Sequence, residues 1–372
     1  MKNKIHKYDF LVVGAGLIGA LTGLELIQKK FKVLVIERSK KTINDKRTLA
    51  VNANSREFLC SLDLWKGLAN EPIKQIIIRD EINNSPLDFE NSKEPLGSVV
   101  YNKDLLIKAR RELIKKKSLI ENINIDLEKI KPNSLTKIKN QYYSFDKIII
   151  SVGKTYSQSV LLKKSEFKSS HSSLVGFFKH SLNHDNKAYE TFTRKGPLAV
   201  LPAPHSNKKF STFIYSTKDS IQNKDLKKII KKFFHKTHGQ INFVGEFKYF
   251  KIAPHLTLST NQNTFLVGDS LRSIHPVAGQ GWNLGVKDIQ TLSSLIDQYG
   301  IKDEKIYSIY FSRRKLESSA YLSFTNFLNS LYENEDKKIN KLIIKIGFQS
   351  LLKFTPIRRI FIGQAMGRLS LI

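Results

Sequence analysis

The sequence predicts an α/β protein: a doubly wound domain, a mostly antiparallel β-sheet domain inserted into it, and a helical C-terminal region. Three observations carry this. An apolar run at residues 8–13 leads at once into glycines, a helical pattern and a second apolar run. The middle of the chain holds short segments rich in Val, Ile, Phe and Tyr. After Lys287 the pattern is helical.

From the N-terminus, residues 8–13 are expected to form a buried strand, 17–29 a helix and 32–36 a second strand. Such a strand–turn–helix–strand unit opens a doubly wound domain. Residues 48–68 read as helical, with Leu49, Leu59, Leu62 and Leu64 among the apolar positions. Residues 105–117 form a further helix, rich in good helix formers and basic in its last turn. Ile148, Ile149 and Ile150 close that part of the sheet. Segments 75–79, 173–180, 189–193, 198–201, 210–215 and 247–252 then predict the antiparallel sheet. Residues 264–267 return the chain to the first domain. The expected boundaries are 1–74, 97–165 and 255–305 for the doubly wound domain, 75–96 and 166–254 for the inserted sheet, and 306–372 for the C-terminal helices.

At 372 residues, with 41% hydrophobic and 10% aromatic residues, the chain can bury a sizeable core. No apolar run reaches the roughly 18 residues that a spanning helix needs. The first residues lead into a strand without a signal-peptide cleavage site. The single cysteine, Cys60, excludes an internal disulfide and a cysteine-based metal cluster, and its expected role is helix packing. A cytoplasmic location follows as the expectation. The net charge of +29 admits three readings. Compositional drift ranks first, because only 13 of the 62 basic residues are Arg. Attraction to a membrane surface ranks second. No nucleic-acid partner is expected, since the lysines at 29–32, 115–117 and 227–232 are not interleaved with a stacking platform.

The first chemical motif is Gly14-Ala-Gly16-Leu-Ile-Gly19, which follows a strand and opens a helix. In that context Gly14 permits the tight turn, Gly16 admits a pyrophosphate to the main chain, and Gly19 lets helix and strand pack closely. Free helix N–H groups face the phosphates. Glu37 ends the second strand, where its carboxylate can accept from an adenosine ribose, and Arg38 can cover the adenine or a phosphate. The alternative is a tight turn with nothing bound. FAD and NAD present the same ADP half and are not separated by this turn.

The second motif lies near the other end of the chain. Phe265-Leu-Val-Gly268-Asp269 is followed by a loop holding His275, Pro276 and Gly279, and then by Gln280-Gly281-Trp-Asn283-Leu-Gly-Val-Lys-Asp288 on an amphipathic helix. An apolar run, a punctuated loop and a helix make a backbone site for an extended, phosphate-bearing cofactor. One cofactor long enough to touch both motifs is the economical explanation.

These residues resemble the flavin-dependent aromatic hydroxylases that share the para-hydroxybenzoate hydroxylase architecture. Within them the chain is similar to the ubiquinone-biosynthesis hydroxylases, which act on polyprenylphenols. Further matches are Asp45-Lys-Arg47-Thr-Leu-Ala-Val, Leu62-Asp-Leu-Trp65, Phe192-Thr-Arg-Lys-Gly196-Pro197-Leu-Ala-Val-Leu-Pro202 and Phe354-Thr-Pro356-Ile-Arg358, so the likeness runs nearly the whole length. It implies a Rossmann-like FAD domain and an inserted substrate domain, with NAD(P)H as electron donor. It also implies that Asp269 holds the ribityl chain and that residues 275–281 wrap the isoalloxazine. Arg47 would lie near the flavin or pyrophosphate, or else in a surface salt bridge. Asn102 aligns with a polar cofactor contact, and His275 has either a direct role or a loop hydrogen bond. A helix starting near Gly281 would aim its positive end at the flavin pyrimidine edge.

The implied activity is FAD-dependent ring hydroxylation of a prenylated phenol by O2, through a flavin C4a-hydroperoxide. Another phenol hydroxylase, a prenyl-lipid reductase and a non-catalytic flavin-binding subunit are the competing readings. No metal ligand set and no catalytic acid or base is assigned; nothing selects among His171, His180, His184 and His205. Phe177, Phe178, Phe192 and Leu201 either line an apolar tunnel or belong to the core. The basic, apolar stretch at 341–354 either touches the inner face of a membrane peripherally or packs on the core or a partner. Other ubiquinone-biosynthesis proteins are expected partners. One departure stands out: these hydroxylases usually carry Asp-Gly after the strand at 148–150, and here Val152-Gly153 takes its place. Docking of the donor is left open by that change.

Overall fold

The computed structural model describes residues 5–39, 47–83, 85–153, 172–218, 221–252, 254–257, 264–274, 280–334 and 337–368, and the backbone of 164–166. Its first layer is a parallel sheet in the order β18 (Thr264–Leu266), β10 (Gln141–Ile150), β1 (Ile5–Val13), β2 (Val33–Glu37) and β8 (Leu119–Glu121). β9 (Thr136–Ile138) joins it antiparallel to β10. Because both faces are covered, the strands read as continuous apolar runs rather than alternating ones. Phe10, Val12, Val33, Val35, Ile149 and Phe265 point to one face. There they meet α1 (Leu17–Gln28), α3 (Asn102–Lys115) and α5 (Gln280–Tyr299). Leu11, Val13, Leu34, Ile36, Ile148 and Ile150 pack on the other face against Ile123, Ile130 and Phe145.

The second layer is a seven-stranded sheet. Its order is β16 (Ile241–Lys251), β12 (Ser172–His180), β15 (Phe210–Thr217), β14 (Gly196–Pro202), β13 (Lys187–Thr193), β5 (Gln75–Asp80) and β6 (Leu87–Glu90). Every pairing is antiparallel except that of β13 with β5. Strand alternation gives the sheet two different faces. Leu174, Phe178, Leu198, Val200, Phe213 and Tyr215 cover Leu226, Ile230 and Phe234 of α4 (Asn223–His238). Two small sheets join the layers. One pairs β3 (Thr48–Asn52), β7 (Gly97–Tyr101) and β4 (Asn70–Ile73), and the other β11 (Lys164–Glu166), β17 (His255–Thr257) and β19 (Arg272–Ser273). α6 (Lys305–Glu333), α7 (Lys338–Lys353) and α8 (Thr355–Ala365) complete the chain.

One expected element is different. Residues 48–68 are not a single helix: they comprise β3, the short α2 (Ala53–Ser61) and a turn. Thr48 to Asn52 pair with β7, and Asn52 caps α2 by accepting from the Ser55 N–H at 2.8 Å. Asp63 and Gly67, both at positive φ, then turn the chain away. Tertiary pairing has overridden a helical pattern here.

Three buried histidines sit where β12, α4 and the 181–186 turn converge. The His180 and His238 rings lie 4.6 Å apart, and His180 and His184 6.1 Å apart. Burial pushes His184 down to about 4 and His238 down to about 3, and neighbouring His180 adds to both effects. Their Nε2 atoms are enclosed without a hydrogen-bond partner. Both therefore stay neutral in the folded state when the unfolded chain, with ordinary histidines near 6.5, has begun to take up protons. Their stabilising effect is complete above that value and is lost as pH falls toward 4. At pH 5.5 the loss is about 1 kcal/mol per histidine. Melting temperature measured from pH 7.5 to 5 is expected to fall, and the double variant His184→Asn/His238→Asn to show a shallower dependence.

Candidate cofactor site

The site is built at the carboxyl ends of the parallel strands, where ligands bind in open α/β sheets. β1 ends at Val13, and Gly14 turns the chain at φ +98. A Cβ there would lie 2.5 Å from the Ser151 carbonyl oxygen, so only glycine fits. A Cβ on Gly19 would lie 1.9 Å from the Gly14 oxygen, which shows that Gly19 serves helix–strand packing. Gly16, by contrast, has nothing within 4 Å of its Cβ position and opens onto a cavity. α1 starts beside it with no side-chain cap and no acidic residue in its first turn.

Glu37 lines the same cavity and also braces the turn. Its Oε2 accepts from the Ala15 N–H at 2.7 Å, and the Arg110 guanidinium lies 3.3 Å away. Arg110 donates through Nε to the Ala15 carbonyl at 2.8 Å and sits 3.6 Å from Glu121. Sequence reasoning missed Arg110. It stands beside Arg111 on a basic helix, and nothing local separates the two.

The second motif reaches the cavity from the opposite side. After β18, a single 3-10 turn over Gly268–Ser270 exposes Asp269 while its neighbours are buried. Gly268, at φ +60, donates its N–H to Asp288 Oδ2 at 2.9 Å. Asp288 is fully buried and also accepts from Arg272 Nη1 at 2.8 and 3.0 Å and from Arg314 Nε at 2.6 Å. Burial works to lower the Arg314 pKa, but Asp288 and Glu317 outweigh it and the net shift is upward. A Cβ on Gly285 would meet Ile18 at 2.7 Å, so α5 and α1 approach as closely as the absent side chain allows.

Between the motifs lies a cavity of ≈ 960 Å³. Gly14, Gly16, Glu37, Arg38, Arg47, Asn102, Gly268, Asp269 and Gly281 all line it, so residues up to 267 positions apart in sequence share one wall-to-wall space. The volume matches the upper range of cofactor pockets, about 300–1,000 Å³. Two main-chain approaches at its ends suit a long, phosphate-bearing ligand, so the residues present fit FAD. Leu201 and Ile214, from β14 and β15, close the cavity with apolar surface. Val152 stands in the wall where related hydroxylases were expected to carry a carboxylate.

Several expected site residues act differently or lie elsewhere. Gly19 is a packing residue, as described. Asn283 is buried away from the cavity lining; it accepts from Asn52 N–H at 3.1 Å and donates to the Ala50 carbonyl at 2.8 Å, pinning α5 to β3. Gln280 is the first residue of α5. His275, Pro276 and Gly279 lie outside the described residues, as does His171. Arg47 is exposed, with its guanidinium over the Phe250 ring at 5.3 Å. Of the tunnel candidates, Leu201 lines the cavity. Phe178 belongs to the core over α4, and Phe192 stacks on Tyr332 at 4.5 Å. Phe177 stacks on Phe210 at 5.5 Å instead. Among the described residues no cluster of His, Cys, Asp or Glu forms a metal site.

Comparison with known proteins agrees with this geometry. A family model described as an FAD binding domain matches residues 7–142 and 178–323. The ubiquinone hydroxylase UbiL of Rhodospirillum rubrum is 22% identical over 98% of this chain and 90% of its own length. The ubiquinone hydroxylase UbiM of Neisseria meningitidis is 24% identical over 96% of this chain and 84% of its own. The crystal structure of p-nitrophenol 4-monooxygenase PnpA from Pseudomonas putida superposes with a TM-score of 0.76, at 14% identity, over 99% of this chain and 100% of that one. The last likeness establishes the shared fold.

Asp288 is where this site is most vulnerable. Asp288→Ala would strand Arg272 and Arg314 and release the Gly268 N–H. Breaking a buried pair of this kind costs about 3–5 kcal/mol. Urea unfolding is expected to register that loss.

Proposed function

The chain belongs to the FAD-binding domain family, and from that premise we propose that it is an FAD-dependent monooxygenase hydroxylating the aromatic ring of a polyprenylated phenol in ubiquinone biosynthesis. The observation that carries this reading is the single cavity lined by both the Gly14 turn and the Asp269 turn. The names of the relatives UbiL and UbiM support the substrate class. FAD held there would supply the redox chemistry by which a reduced donor and O2 give the hydroxylated ring and water.

The chain's own residues bind, orient and exclude water. Gly14 and Gly16 admit the pyrophosphate, and the uncapped start of α1 offers it N–H groups. Glu37 and Arg38 receive the adenosine end. Asp269 accepts from the ribityl hydroxyls, with Arg47 and Asn102 as further polar contacts. By the resemblance, His275, Pro276, Gly279 and Gly281 would hold the flavin ring, and the N-terminal end of α5 would offer it positive charge. Leu201 and Ile214 supply an apolar wall that keeps water from the reacting ring. NAD(P)H is the donor, and the protein works in the cytoplasm beside other ubiquinone-biosynthesis proteins and in peripheral contact with the membrane.

Val152 favours one competing reading, a flavin-binding subunit without turnover, because the carboxylate associated with donor docking is missing. Oxygen uptake separates the two. With FAD restored and NADH or NADPH supplied, a prenylated phenol is expected to stimulate O2 consumption and yield a ring-hydroxylated product. Uptake that stays at background with both donors would favour the subunit. The quinone intermediate accumulating in a deletion strain identifies the ring position. Asp269→Ala is expected to weaken FAD binding by about tenfold or more in a fluorescence titration, since a charged hydrogen bond contributes about 1.5–3 kcal/mol.

A further inference from the structure

The C-terminal helices leave apolar surface uncovered. Among the described residues, twelve of the eighteen exposed large hydrophobic side chains lie between 316 and 361. That concentration separates them from the singly scattered apolar residues every protein shows.

α7 has two apolar faces. Ile344 and Phe348 are buried against Leu87, Phe89 and Tyr332. At about 100° per residue, Ile339, Leu342, Ile343 and Ile346 fall on the opposite side of the helix. Their exposures are 65%, 56%, 39% and 55%. Lys338, Lys341 and Lys345 recur at helical spacing along one border of this stripe, all exposed. α8 buries no residue; its Ile357 and Ile360 share an exposed face, while the Phe361 ring rests on Phe89.

Charge selects the occupant. Residues 337–368 hold eight Lys or Arg and no Asp or Glu. Arg358 and Arg368 are paired with Asp88, Glu57 and Glu94. No ion pair among the described residues holds Lys338, Lys341 or Lys345. A second copy of this chain would bring the same row of unpaired lysines and be repelled by it. Nucleic acid would answer the lysines and leave the aliphatic stripe in water. A surface of anionic lipid answers both, taking the stripe to the acyl boundary and the lysines to the headgroups.

We propose that α7 and α8 form the face by which this protein docks on an anionic lipid surface, with Ile339, Leu342, Ile343 and Ile346 inserted and the bordering lysines on headgroup phosphates. This gives residues to the membrane contact of the functional reading and rests on that reading for its purpose. The test needs no substrate and no turnover, so its failure is distinct from failure of the hydroxylase assignment.

The experiment is vesicle flotation of the full FAD-loaded chain, with phosphatidylcholine alone or mixed with phosphatidylglycerol. Binding to the anionic vesicles is expected, and it should decline with salt. Lys338→Gln/Lys341→Gln/Lys345→Gln is expected to weaken it by about fivefold per lysine. Ile339→Ser/Leu342→Ser/Ile346→Ser is expected to abolish it, and both variants should keep the flavin absorbance. Equal binding to neutral vesicles, or no change in either variant, would overturn the proposal. So would a dimer in light scattering that the serine variant dissolves, because a second copy would then cover the face.

Discussion

Asp288 is the constraint on which the distal half of the site depends. A carboxylate with no exposure is costly to bury, on the order of several kcal/mol, unless charges and donors surround it. Here Arg272, Arg314 and the Gly268 N–H do so together. The three donors come from the strand after the Asp269 turn, from α6 and from the turn itself, while Asp288 comes from α5. Glu317 and Lys287 extend the network, and the Tyr310 hydroxyl donates to the Leu266 carbonyl at 2.7 Å. The Asp269 turn is therefore fixed by a polar knot in addition to the apolar packing of Val267 and Leu271. Geometry, not stability, is what such a knot secures, since an apolar replacement of equal volume is often as stable.

The proximal half uses the same logic with different residues. Glu37 and Arg110 clamp Ala15 from its N–H and its carbonyl. Glu37 thus holds the turn and faces the cavity at once, so its carboxylate is pre-oriented before any ligand arrives. In both halves an acid and an arginine hold backbone in place, and glycine backbone faces the cavity.

Much of this was legible in sequence because it rests on local pattern. The strand–glycine–helix–strand start, the antiparallel middle and the helix from Gln280 all follow from periodicity and from glycines flanked by apolar runs. Gly14, Gly16 and Asp269 could be singled out for the same reason. What sequence concealed depends on distant partners. Thr48 to Asn52 carry a helical pattern but pair with β7. Arg110 gains its role only because β2 delivers Glu37 beside it. Asn283 sits within a cofactor motif yet spends its side chain on β3, a use visible only once α5 and β3 are adjacent. Phe177 and Phe178 lie on opposite faces of one strand, and only the position of α4 decides which is core.

The parallel sheet is assembled from pieces far apart along the chain. β1 lies between β2, which arrives early, and β10, which is itself completed by β18 at Thr264–Leu266. A ribosome must therefore release more than two thirds of the polypeptide before the sheet can close. The outer edge of β10 waits unpaired through that interval. Such long-range closure slows folding and lengthens exposure of sticky intermediates. That order of assembly places the parallel sheet among the slow-forming topologies, whatever the stability of the finished fold.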